Sequence, residues 1–174
     1  HMLAQGNEPL ALLTMVDQNA DRSFFHGADR PMLQAYSDAL GIPLLPVPSA
    51  GENYHLAMER RLKEAAALGA EAVCFGDIDI EGNRAWCEAR CQNAGLKAVF
   101  PLWHRDRAEN VRQLMALGYQ CLIKSINNTL LPKSLLGRII DVETISVMRD
   151  CGIDICGENG EYHTLVMDGP IFHR

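Results

Sequence analysis

Short apolar runs and amphipathic stretches alternate along this chain, and glycine marks most of the changeovers. Leu10 to Val16 is continuously apolar between Pro9 and Asp17, which suits a strand buried on both faces. Asp17 to Arg30 is polar, contains Gly27 and reads as a loop; its Ser23-Phe24-Phe25-His26 segment is either a lid or an ordinary exposed turn. Pro31 opens a helix that runs through Leu40 and stops at Gly41. Leu44 to Val47, set among Pro43, Pro46 and Pro48, predicts a second strand at an edge or strand end. Glu52 to Leu68 predicts an amphipathic helix with Leu56, Leu62, Ala65 and Ala66 on its apolar face, ended by Gly69.

The rhythm then repeats. Ala72 to Phe75 is a third strand closing at Gly76-Asp77-Ile78-Asp79, and a helix from Glu81 to Ala94 is capped by Gly95. Lys97 to Leu102 is a fourth strand that leads into Trp103-His104-Arg105-Asp106. A helix from Arg107 to Leu117 ends at Gly118, and Tyr119 to Ile126 is a fifth strand. Helices ended by glycine and followed by apolar strands give βαβ spacing, hence an α/β fold with a mainly parallel sheet and helices on both faces. Asn127 to Gly137 breaks the pattern, and a helix from Asp141 to Asp150 leads into Gly157-Glu158-Asn159-Gly160-Glu161-Tyr162-His163-Thr164. There two glycines free the backbone for a tight turn and put two carboxylates three residues apart. From composition this stretch is an acidic hairpin turn or a ligand-accessible one.

Composition narrows the function classes. The formal charge of −6 argues against nucleic-acid backbone binding as the main task, because neutralising phosphates needs a basic surface. No apolar run approaches the roughly 18 residues of a membrane span, and no signal-peptide pattern opens the chain, so a cytoplasmic protein with no membrane partner is expected. The six cysteines then read as reduced thiols, mostly buried. Cys87 and Cys91 share a helix face and would need outside ligands to hold a metal. At the start of the chain, Leu3 to Asn7 resembles a helix end with glycine at its cap.

In an open parallel sheet, ligands bind at the carboxyl ends of the strands. Three stretches fall there by this reading: Thr14-Met15-Val16-Asp17, Gly76-Asp77-Ile78-Asp79 and Pro101-Leu102-Trp103-His104. Gly76 would let a ligand approach the backbone, while Asp77 would either hold Mg²⁺ or a ribose hydroxyl, or cap the next helix. Trp103 is a stacking platform or a domain-junction anchor. No Gly-x-Ser-x-Gly, Gly-x-Gly-x-x-Gly or P-loop pattern occurs, which disfavours a hydrolase triad and the common phosphate loops. The residues alone thus point to a domain that binds a nucleotide or another small anion.

Gly76-Asp77-Ile78, Pro101-Leu102-Trp103, Leu136-Gly137-Arg138 and Gly157-Glu158-x-Gly160-Glu161-Tyr162-x-Thr164-Leu165-Val166 together resemble the diphthine–ammonia ligase family, in order and spacing. Asn159 and His163 depart from the family pattern, which usually has Gly and Glu there. The resemblance implies a Rossmann-like, adenine nucleotide α-hydrolase-like sheet over residues 1–100 and a small C-terminal α+β subdomain over 101–174. It also implies an ATP-dependent amide ligase: a carboxylate is activated as an acyl-adenylate with release of pyrophosphate, and ammonia then displaces AMP. Thr14, Met15 and Val16 would border adenine, with Gly76 and Asp77 near ribose or Mg²⁺. Glu158 and Glu161 would act with Asp77 in catalysis, while Trp103, Gly157, Gly160, Tyr162 and Thr164 would line the substrate side. The partners implied are ATP, Mg²⁺, ammonia and a protein or small carboxylate.

The family's Ser-Gly-Gly-Lys-Asp-Ser loop does not occur in the sequence. A start downstream of that loop is favoured over its loss, because a sheet lacking an inner strand would expose apolar edges, edges that would also favour a homodimer. Without the loop little or no ATP cleavage is expected. A related adenylating enzyme for another substrate, or a non-catalytic adenine-nucleotide-binding module, stands as the alternative.

Overall fold

The computed structural model describes residues 1–24 and 26–173. The chain divides into two compact units, one of residues 1–104 with His173, the other of residues 105–172. The fold is mixed α/β, with parallel strands in the first unit.

In the first unit, a 3₁₀ turn at Leu3–Gln5 ends at Gly6, whose φ of 79° closes it in the left-handed region. Strand β1 (Leu12–Asp17) lies between β2 (Arg22–Ser23, antiparallel) and β3 (Leu44–Ser49, parallel). The short hairpin β1–β2 replaces the loop read from the polar sequence. Ser23 is buried and its Oγ accepts from the Ala28 N–H at 2.8 Å, and Phe24 meets Tyr54 edge-on at 5.2 Å. The segment therefore tucks inward at these two positions; Phe25 lies outside the described residues. On β3, Pro46 and Pro48 occupy an edge strand, where a missing N–H leaves no ladder bond unmade, and the Pro46 carbonyl accepts from Arg61 Nη2 at 3.1 Å instead.

Helix α1 (Arg30–Leu40) starts at Asp29, which accepts from the Met32 N–H, and stops at left-handed Gly41. Helix α2 (Tyr54–Ala67) buries Met58, Leu62 and Ala65, at i, i+4 and i+7, whereas Leu56 points out and is 49% exposed. The predicted stripe thus holds at Leu62, Ala65 and Ala66, and only Leu56 departs from it. Strands β4 (Ala72–Cys74) and β5 (Lys97–Val99) pair in parallel around helix α3 (Glu81–Ala94). One apolar cluster joins Met15, Val47, Met58, Leu62, Cys91, Ala94 and Leu96, and thereby β1, β3, α2 and α3. Each fully buried side chain such as Leu62 contributes about 2 kcal/mol to that core. A partly buried pair, Arg90 Nε to Glu59 Oε1 at 2.7 Å, clips α3 to α2.

The second unit is α+β. Helix α4 (Arg107–Ala116) precedes β6 (Gln120–Ile126); a 3₁₀ turn at Lys133–Leu135 and helix α5 (Val142–Asp150) lead to β7 (Tyr162–Asp168). Strand β6, read above as a fifth member of the parallel series, pairs antiparallel with β7 in a separate two-stranded sheet. The local apolar pattern of a strand carries no information about its partner, which here comes from the chain's end. Val111, Ile123, Leu135, Ile145 and Met148 form its core. Asp141 and Thr144 cap α5 reciprocally, Asp141 Oδ1 accepting from the Thr144 N–H at 2.7 Å and Thr144 Oγ1 from the Asp141 N–H at 2.8 Å. Among the described residues no helix is long and apolar enough to cross a membrane.

Candidate functional site

The carboxyl ends of β4 and β5 coincide because the strands pair in register, Cys74 against Val99. The pairing continues one step further, with the Phe75 N–H donating to the Val99 carbonyl at 2.9 Å. Phe75 and Phe100, which leave the two strands at equivalent places, therefore stack at 5.4 Å with their planes 21° apart. Trp103 meets Phe100 at 5.8 Å and His104 at 5.0 Å. From the first turn of α3, the Arg84 guanidinium lies 4.7 Å from the Trp103 ring centre and 5.5 Å from that of Phe100, a double cation–π contact. The His104 N–H donates to the Ile78 carbonyl at 2.7 Å and so ties the two loops together.

Gly76 and Asp77 stand on this edge. A Cβ on Gly76 would meet nothing within 4 Å, which leaves open space beside the main chain. Asp77 is half-buried and does not cap α3: the N-cap is Ile80, with no side-chain acceptor. Helix capping is thus removed as the explanation for Asp77. Its negative charge, second to burial, helps push the Cys87 thiol up to about 12. Trp103 belongs to the aromatic cluster, and its buried Nε1–H has no acceptor among the described residues. The structure therefore brings Gly76, Asp77 and Trp103 to one strand-end edge.

Thr14, Met15 and Val16 lie within the carboxyl-terminal part of β1. Met15 and Val16 are buried, so any ligand contact they make runs through the main chain. The Met15 carbonyl accepts from the Phe24 N–H at 3.1 Å and Val16 faces Ser23 on β2, so β1 is flanked on both sides from Met15 onward. Asp17 Oδ1 accepts from the Asn19 and Ala20 N–H groups and closes the turn. Cys87 and Cys91 are both buried, and among the described residues no group of three metal-ligating side chains forms.

The acidic turn belongs to the second unit, and a chain of side-chain caps builds it. Asp154 pairs with Arg107, and its carboxylate accepts from the Cys156 N–H at 3.0 Å and the Glu158 N–H at 3.4 Å. Gly157 and Gly160 both adopt left-handed φ, and the Gly160 N–H donates to the Gly157 carbonyl at 3.1 Å. Glu161 is buried; it accepts from the Asn159 N–H at 3.0 Å and from Asn159 Nδ2 at 3.1 Å. Tyr162 begins β7, buried, with its hydroxyl donating to the Ile155 carbonyl at 2.6 Å; burial raises its phenol above the ordinary range. Glu158 is half-buried, and Thr164 faces Ile123 across the β6–β7 ladder.

Sequence reasoning missed Phe75, Phe100 and Arg84, and with them the cation–π cluster. The available signal was an aromatic residue directly after each of two equivalent strands. It also missed Asp154 and Arg107, whose pairing across 47 positions leaves no local trace.

Residues 1–98 match the model of the diphthamide synthase N-terminal domain, and residues 106–174 that of the diphthamide synthase C-terminal domain. Proteins named diphthine–ammonia ligase are similar to the chain. That of Schizosaccharomyces pombe is 21% identical over 196 residues, covering 100% of this chain and 32% of its own length. That of Saccharomyces cerevisiae is 26% identical over 219 residues, again across 100% of this chain and 31% of its own. The human protein is 28% identical over 108 residues, 60% of this chain and 40% of its own. The chain thus spans 31–32% of the length of the two yeast proteins. With both domain models matched in order along its length, the chain belongs to the diphthamide synthase family.

Proposed function

We propose that this chain carries the nucleotide-binding and acceptor-side units of an ATP-dependent amide ligase, acting as the name of its relatives says, on diphthine and ammonia. The observation that carries the reading is the strand-end edge where Gly76, Asp77 and the Trp103–Arg84 cluster meet, since strand carboxyl ends are where α/β sheets take ligands. Open space at Gly76 suits close approach of a nucleotide, and Thr14 adds main chain at the part of β1 that β2 does not cover. A half-buried carboxylate suits Mg²⁺, which characteristically takes one or two carboxylates and completes its shell with substrate phosphate oxygens and water; Asp77 would be that ligand. The ion would neutralise charge on the phosphates.

In the reaction proposed, a substrate carboxylate oxygen attacks the α-phosphorus of ATP and the bond to pyrophosphate breaks. Ammonia then attacks the acyl carbon, the bond to AMP breaks, and a proton leaves the nitrogen. The turn from Gly157 to Thr164 forms the acidic side of the acceptor site, with Glu158, Glu161 and Tyr162 near the incoming cationic or ammonium group. Arg84 and Trp103 favour a flat, electron-rich ring over the strand ends. The six cysteines, which form no disulfide among the described residues, fit a reducing, cytoplasmic setting.

The test is AMP formation from ATP and Mg²⁺ with a diphthine-bearing protein, with and without ammonium. AMP that depends on the acceptor, and amide that depends on ammonium, support the reading. Failure to bind ATP at millimolar concentration would sink it, and binding without cleavage would turn it into a nucleotide-binding module.

A further inference from the structure

Asn159-Gly160 is the single Asn-Gly dipeptide in the chain. Such a pair is labile in any polypeptide, because glycine puts no side chain in the way when its main-chain nitrogen attacks the asparagine amide carbon. The Gly160 nitrogen bonds to Asn159 Cγ, the Cγ–Nδ2 bond breaks, and ammonia leaves with the proton of the Gly160 amide. Water then opens the cyclic imide at either carbonyl, giving aspartate or isoaspartate. Both residues are exposed, and a Cβ on Gly160 would meet nothing within 4 Å, so water has access to the imide carbonyls.

Two hydrogen bonds hold the reacting groups apart. The Gly160 N–H donates back to the Gly157 carbonyl at 3.1 Å, while Asn159 Nδ2 donates forward to Glu161 Oε1 at 3.1 Å. A third, from the Asn159 N–H to Glu161 Oε2 at 3.0 Å, fixes the main chain beside the amide. Glu161 is a firm anchor for both of its bonds. It is 5% exposed, its carbonyl accepts from the Asn127 N–H at 2.8 Å, and the next residue is pinned through its hydroxyl to Ile155. Cyclisation therefore has to pull the amide away from a buried carboxylate, which is costly because that carboxylate then lacks a donor.

We infer that Asn159 is a modification site latched by Glu161: the folded turn holds the amide back from deamidation, and conversion to aspartate or isoaspartate unlocks the turn. The product cannot restore the latch. An ionised carboxylate has no N–H to give Glu161 Oε1, and it sets a second negative charge beside a buried one. Water is the only co-reactant, and nothing in the step depends on the role of the turn toward a substrate.

Peptide mass spectrometry that separates the amide, aspartate and isoaspartate forms of position 159, during incubation at mildly alkaline pH, tests this. The chain unfolded in urea sets the intrinsic rate, and the native chain should convert about tenfold more slowly or less. Native Glu161→Ala should convert about tenfold faster than the native unaltered chain, as expected for a lost hydrogen bond. If Glu161→Ala does not fold, Glu161→Gln decides: its single carbonyl oxygen cannot take both bonds in the same way, so conversion should again speed up. Ile145→Val weakens the core of the same unit but leaves both bonds in place, and its rate should stay near that of the unaltered chain. Amide exchange reads the consequence: in Asn159→Asp the N–H of residue 159 should exchange about tenfold faster. Native conversion as fast as in urea, no acceleration in the Glu161 variants, or equal acceleration in Ile145→Val overturns the latch. Unchanged exchange in Asn159→Asp overturns the unlocking.

Discussion

The ring of Tyr162 lies so close over Gly157 that a Cβ there would stand 3.0 Å from Cε1 and 3.1 Å from Cζ. Gly157 also holds φ at 75°, where an L side chain is strained. Gly157→Ala should therefore cost roughly 2–5 kcal/mol, the sum of left-handed strain and overpacking against a pinned ring. Gly160 is the internal control: its φ is 81°, but a Cβ would meet nothing within 4 Å. Gly160→Ala should cost only the strain, about 1–2 kcal/mol. Urea denaturation of the three proteins gives the ranking, and equal losses would refute the role assigned to the Tyr162 contact.

Asp154 does three things at once, pairing with Arg107 and capping two N–H groups of the turn. Replacing it by Ala leaves a partly buried guanidinium without its carboxylate and frees two loop donors. We expect a loss of about 2–4 kcal/mol and faster amide exchange at Cys156 and Glu158. Arg107→Ala removes the ion pair but leaves the caps, so it should loosen the two amides far less. Indistinguishable exchange in the two variants would show that the pair, not the caps, organises the loop.

Much of this architecture was legible because it is written locally. Gly41 and Gly95 ended their helices as left-handed caps, and the apolar runs Leu10 to Val16 and Ala72 to Phe75 became the strands Leu12–Asp17 and Ala72–Cys74. What could not be read depends on contacts made far along the chain. The antiparallel partner of β6 lies some forty residues on, so a run that looked parallel by rhythm was not. On α2 the inward face at Leu62, Ala65 and Ala66 was legible, but Leu56 and Met58 differ little in hydrophobicity and only packing decided that Met58 goes in. In the acidic turn the residue types were plain but their directions were not: Glu161 faces inward because Asn159, a residue noted only as unusual, supplies its donors.

Burial of three thiols makes the fold sensitive to alkaline pH. Burial pushes Cys87 up to about 12 and Cys91 up to about 11, from an ordinary value of 9.0, and raises Cys121 as well. Folded pKa values above the unfolded ones mean that these groups contribute stability fully below pH 9.0, and that it is lost as pH rises toward 11–12. The melting temperature should be flat with respect to these thiols from pH 7 to 8.5 and fall above pH 9. A Cys87→Ala, Cys91→Ala protein should lose part of that slope. At pH 8, a thiol reagent should label exposed Cys151 and Cys74 in the native protein, and Cys87, Cys91 and Cys121 only after denaturation. Rapid native labelling of Cys91 would contradict its burial.

The strand-end edge can be watched through its own indole. The chain has two tryptophans, so Trp86→Phe leaves Trp103 as the sole reporter, while Phe keeps an aromatic partner for Tyr54. A nucleotide over the Phe100–Trp103–Arg84 cluster should change Trp103 emission, and Arg84→Ala should weaken that binding by removing the cation between ligand and rings. Asp77 gives the sharper test. It caps no helix, so Asp77→Asn should leave thermal stability within about 0.5 kcal/mol, the range of substitutions that break no structural feature. If its carboxylate holds Mg²⁺, the same change should weaken ATP binding about tenfold in the presence of Mg²⁺, or ~1.4 kcal/mol. With EDTA present, the two proteins should bind ATP alike. A loss of equal size with and without Mg²⁺ would assign Asp77 to the ribose instead.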